Sequence, residues 1–183
     1  MTKVFIGGSR RLTRLSAMVC RRLDTLVRKN LAVIVGDANG ADRAVQAYLK
    51  QLGHSRVEVF CTNGLCRNNL GNWPIRAVAA QRGADGFRYY AAKDEEMTKE
   101  CSIGFMIWEG KSRGTFANIQ RLVDAGKKVV VYFVPRKEFV TIRNRNEWND
   151  FLAARGLRVQ KASKRPVKSS AVPSVHSSQV TLF

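Results

Sequence analysis

Residues 31–36 read LAVIVG, a run of five apolar residues that ends in glycine. A run this short and this uniformly apolar is typical of a strand that is buried on both faces of a parallel sheet. Similar runs occur at residues 3–7 (KVFIG), 57–61 (VEVFC), 102–108 (SIGFMIW) and 128–134 (KVVVYFV). Together these runs predict five buried strands.

Helical periodicity lies between these strands. Apolar residues at positions 12, 15, 19, 23, 26 and 27 follow the three-and-four spacing of a helix over residues 12–29. Further helices are predicted at residues 41–52, 75–82, 94–100, 115–125 and 146–154, with an extended stretch at 87–90 and a turn-rich loop at 63–74. This alternation predicts an α/β, Rossmann-like, doubly wound fold, with a mostly parallel sheet of five to six strands and helices on both faces.

The length of 183 residues favours one folded domain, which we place at residues 1–155. Residues 156–183 are dominated by Ser, Lys, Val and Pro without periodicity, which predicts a flexible basic tail. No apolar stretch approaches the roughly 18 residues that cross a bilayer. The first residues lack the apolar core and cleavage site of a signal peptide, so we expect a cytoplasmic protein without a membrane partner.

The charge of the chain is its extreme property. The formal net charge is +18, and the residues from Arg155 onward hold six cations and no acid, which leaves +12 on the rest. Such a surface attracts polyanions or phosphorylated ligands. Scattered Lys and Arg also serve solubility, and composition alone does not separate these two roles.

Four cysteines and two histidines are the soft metal-ligand candidates in the sequence. Cysteines in a cytoplasmic chain are expected to be reduced thiols. Structural zinc usually needs two tight ligand pairs, and the pair Cys61 and Cys66 has no second pair to match it. We therefore predict no metal site and no cofactor.

Glycine-rich loops follow three of the predicted strands, at residues 7–11 (GGSRR), 36–42 (GDANGAD) and 108–115 (WEGKSRGT). Ligands of doubly wound sheets bind at the carboxyl ends of the strands. Glycine permits close approach of the backbone, and the helix that follows presents free amides. The loops match neither the P-loop nor the dinucleotide-binding fingerprint. They predict one pocket, rich in amides and lined by cations, for a phosphate or sugar.

Five motifs, in order GGSR, GDANGAD, CRNNLGNW, KDEEM and IWEGKSRGTFANI, resemble the YspA-like branch of the SLOG superfamily. That group is related to the Smf/DprA DNA-processing proteins and the Lonely Guy phosphoribohydrolases, and the resemblance covers roughly residues 3–134. It implies a Rossmann-like fold that binds a nucleotide or nucleotide-derived ligand. It assigns ligand contacts to Gly7, Gly8, Ser9, Arg10, Gly36, Asp37, Gly40, Asp42, Arg67, Asn68, Trp73, Ser112, Gly114, Thr115 and Asn118.

Three carboxylates are candidates for chemistry on an N-glycosidic bond. Asp94, Glu109 and Asp37 could stabilise an oxocarbenium-like charge or activate water. Asp37 has two alternative roles, accepting hydrogen bonds from a ribose or from loop amides, and Trp73 either stacks on a base or anchors its loop. Asn118 stands where Lonely Guy enzymes carry a glutamate, so whether the chain is an enzyme stays open.

The last five residues, 179–183 (QVTLF), resemble the QLxLF peptide that docks in the groove of the bacterial sliding clamp. Gln179 would supply a hydrogen bond, while Leu182 and Phe183 would fill an apolar pocket. The sequence therefore supports two hypotheses: a nucleotide-ligand domain, or a DNA-associated adaptor that its tail recruits to the clamp. Relatives of this fold often dimerise, so a homo-oligomer is also expected.

Overall fold

The computed structural model describes residues 2–80 and 86–157. In that part of the chain there are seven strands: β1 (Lys3–Gly8), β2 (Ala32–Gly36), β3 (Val57–Thr62), β4 (Ile75–Val78), β5 (Ile103–Trp108), β6 (Lys128–Phe133) and β7 (Glu138–Ile142). The helices are α1 (Ala17–Arg28), α2 (Ala41–Gln51), α3 (Gly86–Glu100), α4 (Arg113–Asp124) and α5 (Arg145–Ala153).

The strands form one sheet in the order β4-β3-β2-β1-β5-β6-β7. All neighbours pair in parallel except β6 and β7, which are antiparallel and are joined by a 3-10 turn at Val134–Arg136. The predicted fold class, a mostly parallel Rossmann-like α/β sheet, is confirmed. The described sheet exceeds five to six strands because β4 and β7 extend its two edges.

The sheet has an apolar core on each face. On one face α1 and α2 cover Val4, Ile6, Val33 and Val35. On the other face α3, α4 and α5 pack over Phe5, Ile34, Met106 and Trp108. Successive residues of one strand enter opposite cores, which is why the strands are apolar at nearly every position.

Two predicted elements around β4 were wrong. Residues 75–82 were expected to form a helix, but Ile75–Val78 is a strand that pairs in parallel with β3. Its residues are mostly exposed, so it lacks the apolar pattern that identifies the central strands. Residues 87–90 were expected to be extended and instead lie in the first turns of α3, so tertiary context overrides the β-propensity of the aromatic residues there.

The order in which strands are added to the sheet reverses between the parallel neighbours β1 and β5, and this point positions the candidate site. β1 leads to α1 on one face, whereas β5 leads to α4 on the other. Ligand clefts of doubly wound sheets form at such a switch point, outside the carboxyl ends of the strands. Within residues 2–80 and 86–157, no helix has the length and apolar character needed to cross a membrane.

Candidate functional site

Four charged residues meet below the carboxyl end of β2, and we call them the buried charge cluster: Asp37, Asp42, Lys93 and Asp94. The ammonium of Lys93, a residue only 3% exposed, lies 3.0 Å from Asp94 Oδ1 and 3.8 Å from Asp37 Oδ1. A Cβ atom on Gly36 would lie 2.5 Å from Asp42 Oδ2 and 2.8 Å from Lys93 Nζ. The glycine at this strand end therefore makes room for the cluster.

The loop between β3 and β4 holds Asp37 in place. Arg67 donates to Asp37 from its backbone N at 3.1 Å, from Nε at 3.0 Å and from Nη2 at 2.7 Å. Asn68 Nδ2 donates to the backbone oxygen of Asp37 at 2.8 Å. Of the two roles considered for Asp37, the structure places the carboxylate on a loop amide and a guanidinium. Bidentate pairing of this kind fixes geometry as well as charge.

The same loop is tied to β3 by a disulfide between Cys61 and Cys66, whose Cα atoms are 5.1 Å apart. That separation lies within the range that a disulfide spans. The expectation that all four cysteines are free thiols is therefore wrong for this pair in the structure, because the tight loop brings the two residues together. Cys20 and Cys101 are free.

The environment shifts the pKa values of the cluster in different directions. Burial raises the pKa of Asp37, but the hydrogen bonds from Arg67 and the charge of Lys93 outweigh it, so the net pKa is lowered. Burial lowers the pKa of Lys93, but the charges of Asp94 and Asp42 outweigh it, so the net pKa is raised. For Asp42 burial prevails over the charge of Lys93 and raises the pKa to about 7. Asp42 is therefore close to half-protonated at neutral pH.

We expect the free energy of unfolding to rise as the pH falls from about 8 to about 5. The pKa of Asp42 is raised from 3.8 to about 7 on folding, so the folded chain binds a proton that the unfolded chain lacks in this window. The resulting stabilisation is complete below the unfolded pKa and is lost as the pH rises through the folded pKa, with a slope of up to about 1.4 kcal/mol per pH unit. Urea unfolding of Asp42→Asn should show a flattened pH dependence.

The control for this experiment is Glu96→Gln, which changes a carboxylate in an exposed ion pair with Lys99. It should keep the slope of the parent protein, because the carboxylate that it removes lies outside the buried charge cluster. A slope in Asp42→Asn as steep as in the control would contradict the assignment of the titration to Asp42.

The glycine-rich loops after β1 and β2 pack against each other. A Cβ on Gly40 would overlap the backbone of Arg10, and one on Gly8 would lie 2.5 Å from the carbonyl oxygen of Ile107. Ser9 is buried, donates its N–H to Ile107 O at 3.2 Å and accepts from Ala41 N at 3.0 Å. These glycines allow the loops to approach each other. The backbone N–H of Ser9 is used in a hydrogen bond within the protein.

The loop after β5 reaches the cluster through helix α4. Ser112 caps the helix by accepting from the amide of Thr115, and Asn118 Nδ2 donates to Asp94 Oδ2 at 3.1 Å. A Cβ on Gly114 would meet no atom within 4 Å, so the start of this helix is open. Strand order brings the three loops to one edge, and the buried charge cluster lies beside the loop after β2, in contact with Asn118 of α4.

Some predicted site residues lie elsewhere. Trp73 is buried and donates Nε1–H to the backbone oxygen of His54 at 2.9 Å, so it anchors its loop. Glu109 makes no hydrogen bond or ion pair with a described residue, and its buried Oε2 has no partner there. Gly7 packs beside Phe5 and Met106 in the core. Gln179, Leu182 and Phe183 lie outside the described residues.

Sequence reasoning missed two residues, Lys93 of the buried charge cluster and Gln46 beside it. Lys93 opens the KDEEM motif, but it was assigned no role from the sequence, although it stands one turn before the buried Met97, a position that an apolar residue normally takes. Gln46 is fully buried and donates to Gly36 O at 2.9 Å and to Asn68 O at 3.2 Å. The sequence signal for Gln46 was a polar residue on the apolar face of the predicted helix α2.

Exposed cations surround the carboxyl edge of β1, β5 and β6, and none makes an ion pair with a described carboxylate. We call them the cationic rim: Arg10, Arg11, Arg14, Lys111, Arg113 and Lys137. The opposite edge differs, because there Lys3 and Arg76 pair with Glu58 and Glu100. At that edge Lys29, Lys50 and Lys128 are also exposed without a described ion pair, so the carboxyl edge is marked by the clustering of six such cations around adjacent strands.

Comparisons with known proteins show the fold. DNA processing protein A from Helicobacter pylori, whose structure was described for its single-stranded DNA binding mode, aligns with a TM-score of 0.56 at 13% identity, over 86% of this chain and 74% of that chain. DNA processing protein A from Streptococcus pneumoniae aligns with a TM-score of 0.48 at 17% identity, over 71% of this chain and 50% of that chain. No protein-family model and no curated protein matches the sequence.

Proposed function

We propose that this protein binds single-stranded DNA along the carboxyl edge of its sheet, with the cationic rim contacting the phosphates. The observation that carries the proposal is the set of exposed rim cations without an ion pair to a described carboxylate. Phosphate contacts from Lys and Arg supply most of the affinity in sequence-independent binding. Arg10 and Arg113 also offer the planar donors that suit phosphate oxygens.

The spread of the rim favours a strand over a single nucleotide. Its cations follow β1, β5 and β6, which are adjacent in the sheet. Two inter-strand spacings amount to about 10 Å, more than one phosphate group covers. In the buried charge cluster beside the loop after β2, Asp37 is paired with Arg67 and Asp94 with Lys93. These features support binding of a DNA strand along its sugar–phosphate backbone.

The structural neighbour supports the choice of a single strand. The Helicobacter pylori protein described for single-stranded DNA binding shares the fold at a TM-score of 0.56. A flexible single strand also suits a surface with an open helix start and scattered cations better than a rigid duplex does. The SLOG resemblance, its YspA-like branch, a homo-oligomer and recruitment to a sliding clamp by residues 179–183 remain predictions that this proposal does not need.

A titration of the full chain with a fluorescently labelled oligothymidylate tests the proposal. If all rim cations contact phosphates, the plot of log K against log salt should have a slope of about −4, since each contact contributes about −0.7 on a single strand. A duplex of the same length and a free nucleotide serve as competitors. The proposal fails if the slope is shallower than about −1, or if the free nucleotide displaces the strand at equal concentration.

The same titration also tests the nucleotide-ligand hypothesis. Displacement by a free nucleotide would favour it, together with a role for Asp94, Glu109 or Asp37 at an N-glycosidic bond. In the structure both oxygens of Asp94 are occupied, by Lys93 and by Asn118, and Asp37 is held by Arg67. The DNA-binding proposal is therefore the one that the exposed groups support best.

A further inference from the structure

A cavity of about 140 Å³ opens at the carboxyl edge on the face that α1 covers. It lies between the loop after β1, the start of α1 and the ends of β5 and β6. Its lining residues are Leu12, Arg14, Ser16, Val19, Ile107, Tyr132, Val134 and Lys137. None of them belongs to the predicted ligand set or to the buried charge cluster.

The inner wall of the cavity suits a flat ring. Val19, Ile107 and Tyr132 are buried and apolar, and a cavity of about 150 Å³ is known to hold one benzene-sized ring. Tyr132 is 3% exposed and packs against Phe139 with ring centroids 4.9 Å apart. Its hydroxyl makes no hydrogen bond with a described residue, so it is available to the polar edge of a heterocycle.

The mouth of the cavity suits an anion. Arg14 and Lys137 are exposed and form no ion pair with a described carboxylate. Ser16 caps α1 by accepting from Val19 N at 3.3 Å, which places the positive end of the helix dipole at the same opening. A planar ring joined to an anionic group is the chemistry of a nucleotide.

A second cavity provides a contrast within the same face. It has a volume of about 150 Å³ and lies toward the amino ends of the strands, lined by residues that include Val4, Leu26 and Ile103. Its one lining cation, Arg22, lies over the ring of Phe139 at 4.9 Å. That cavity therefore has one lining cation, placed over an aromatic ring, where the first cavity has two at its mouth.

We infer that the cavity at the carboxyl edge takes one base of the bound single strand, while Arg14 and Lys137 hold the adjacent phosphate. This inference rests on the proposed function, because it specifies how a strand on the cationic rim is engaged. A base held in this way adds affinity that does not depend on salt. It also favours a single strand, since a paired base cannot enter.

The test compares an oligothymidylate with an abasic deoxyribose-phosphate strand of equal length, titrated into the full chain. We expect the parent protein to bind the base-bearing strand about tenfold more tightly, a difference that Val134→Phe removes by filling the cavity while leaving abasic binding unchanged. Val130→Phe is the matched control, because Val130 is half-buried on the same face but lines the second cavity. It should keep the preference.

Tyr132→Phe keeps the result interpretable if Val134→Phe fails to fold. That variant removes only the unpaired hydroxyl and should reduce the preference about twofold to fivefold without changing abasic binding. Equal binding of both strands by the parent protein, or a preference that survives Val134→Phe and Tyr132→Phe, overturns the base site and leaves the rim proposal standing. Binding of neither strand overturns both.

Discussion

Replacing Arg10, Lys111 and Arg113 together by alanine is expected to weaken the binding of single-stranded DNA about 100-fold at roughly 0.1 M salt. All three side chains are exposed and form no ion pair with a described carboxylate, so their loss leaves the fold intact. Each phosphate contact contributes about 0.7 to the salt slope, so half of the rim accounts for a slope change from about −4 to about −2. A salt series by fluorescence anisotropy measures both quantities.

The matched control removes the same charge from the opposite edge. Lys29, Lys50 and Lys128 are exposed, and each precedes or begins a strand at its amino end. Their joint replacement by alanine should change the affinity by less than about threefold, through net charge alone. If the two triple variants lose affinity equally, the binding reflects the overall charge of +18 and no defined face.

The substitution Asp37→Ala is expected to lower the free energy of unfolding by about 3 kcal/mol. Asp37 is 2% exposed and accepts from Arg67 through both carboxylate oxygens, with the ammonium of Lys93 3.8 Å away. Its removal leaves the buried Lys93 with one acid fewer and releases the loop that carries Arg67. We place the effect at the low end for a buried pair because the Arg67 side chain is 32% exposed and can rehydrate.

Urea unfolding at neutral pH measures this loss. Glu96→Ala provides the comparison, because it breaks the exposed pair with Lys99 and should cost less than about 0.5 kcal/mol. Both variants must be unfolded under the same redox conditions, since the Cys61–Cys66 disulfide closes the loop next to Arg67. A difference of less than about 0.5 kcal/mol between the two variants would contradict the structural role of the cluster.

The sequence was sufficient to predict the strands whose burial on both faces produces a continuous apolar run. Residues 31–36 and 128–134 are apolar at nearly every position because neighbouring positions enter opposite cores, so β2 and β6 were predicted. β4 is an exposed edge strand, and its identity depends on pairing with β3, a contact that residues 75–78 do not encode by themselves. β7 is likewise defined by its antiparallel pairing with β6.

The position of the candidate site, at the loops after the strands, could be predicted from the sequence. The contacts between its side chains could not. Glycines at 8, 36 and 40 marked the loops correctly, yet their neighbours across the fold show that each makes room for protein atoms. The role of Lys93 follows only from the fold, because α3 places its ammonium beside Gly36. The rim depends on strand order, since Arg10, Lys111 and Lys137 are far apart in sequence and meet because β1, β5 and β6 are adjacent.

Photocrosslinking of the full chain to an oligonucleotide that carries 4-thiothymidine, followed by mass spectrometry, locates the bound strand on the protein. If the carboxyl edge binds single-stranded DNA, adducts will concentrate in the loop after β1, at Lys111–Gly114 and near Lys137. Adducts confined to the amino edge around Lys29, Lys50 and Lys128, or to residues 158–183, would show that the cationic rim is not the DNA-binding surface.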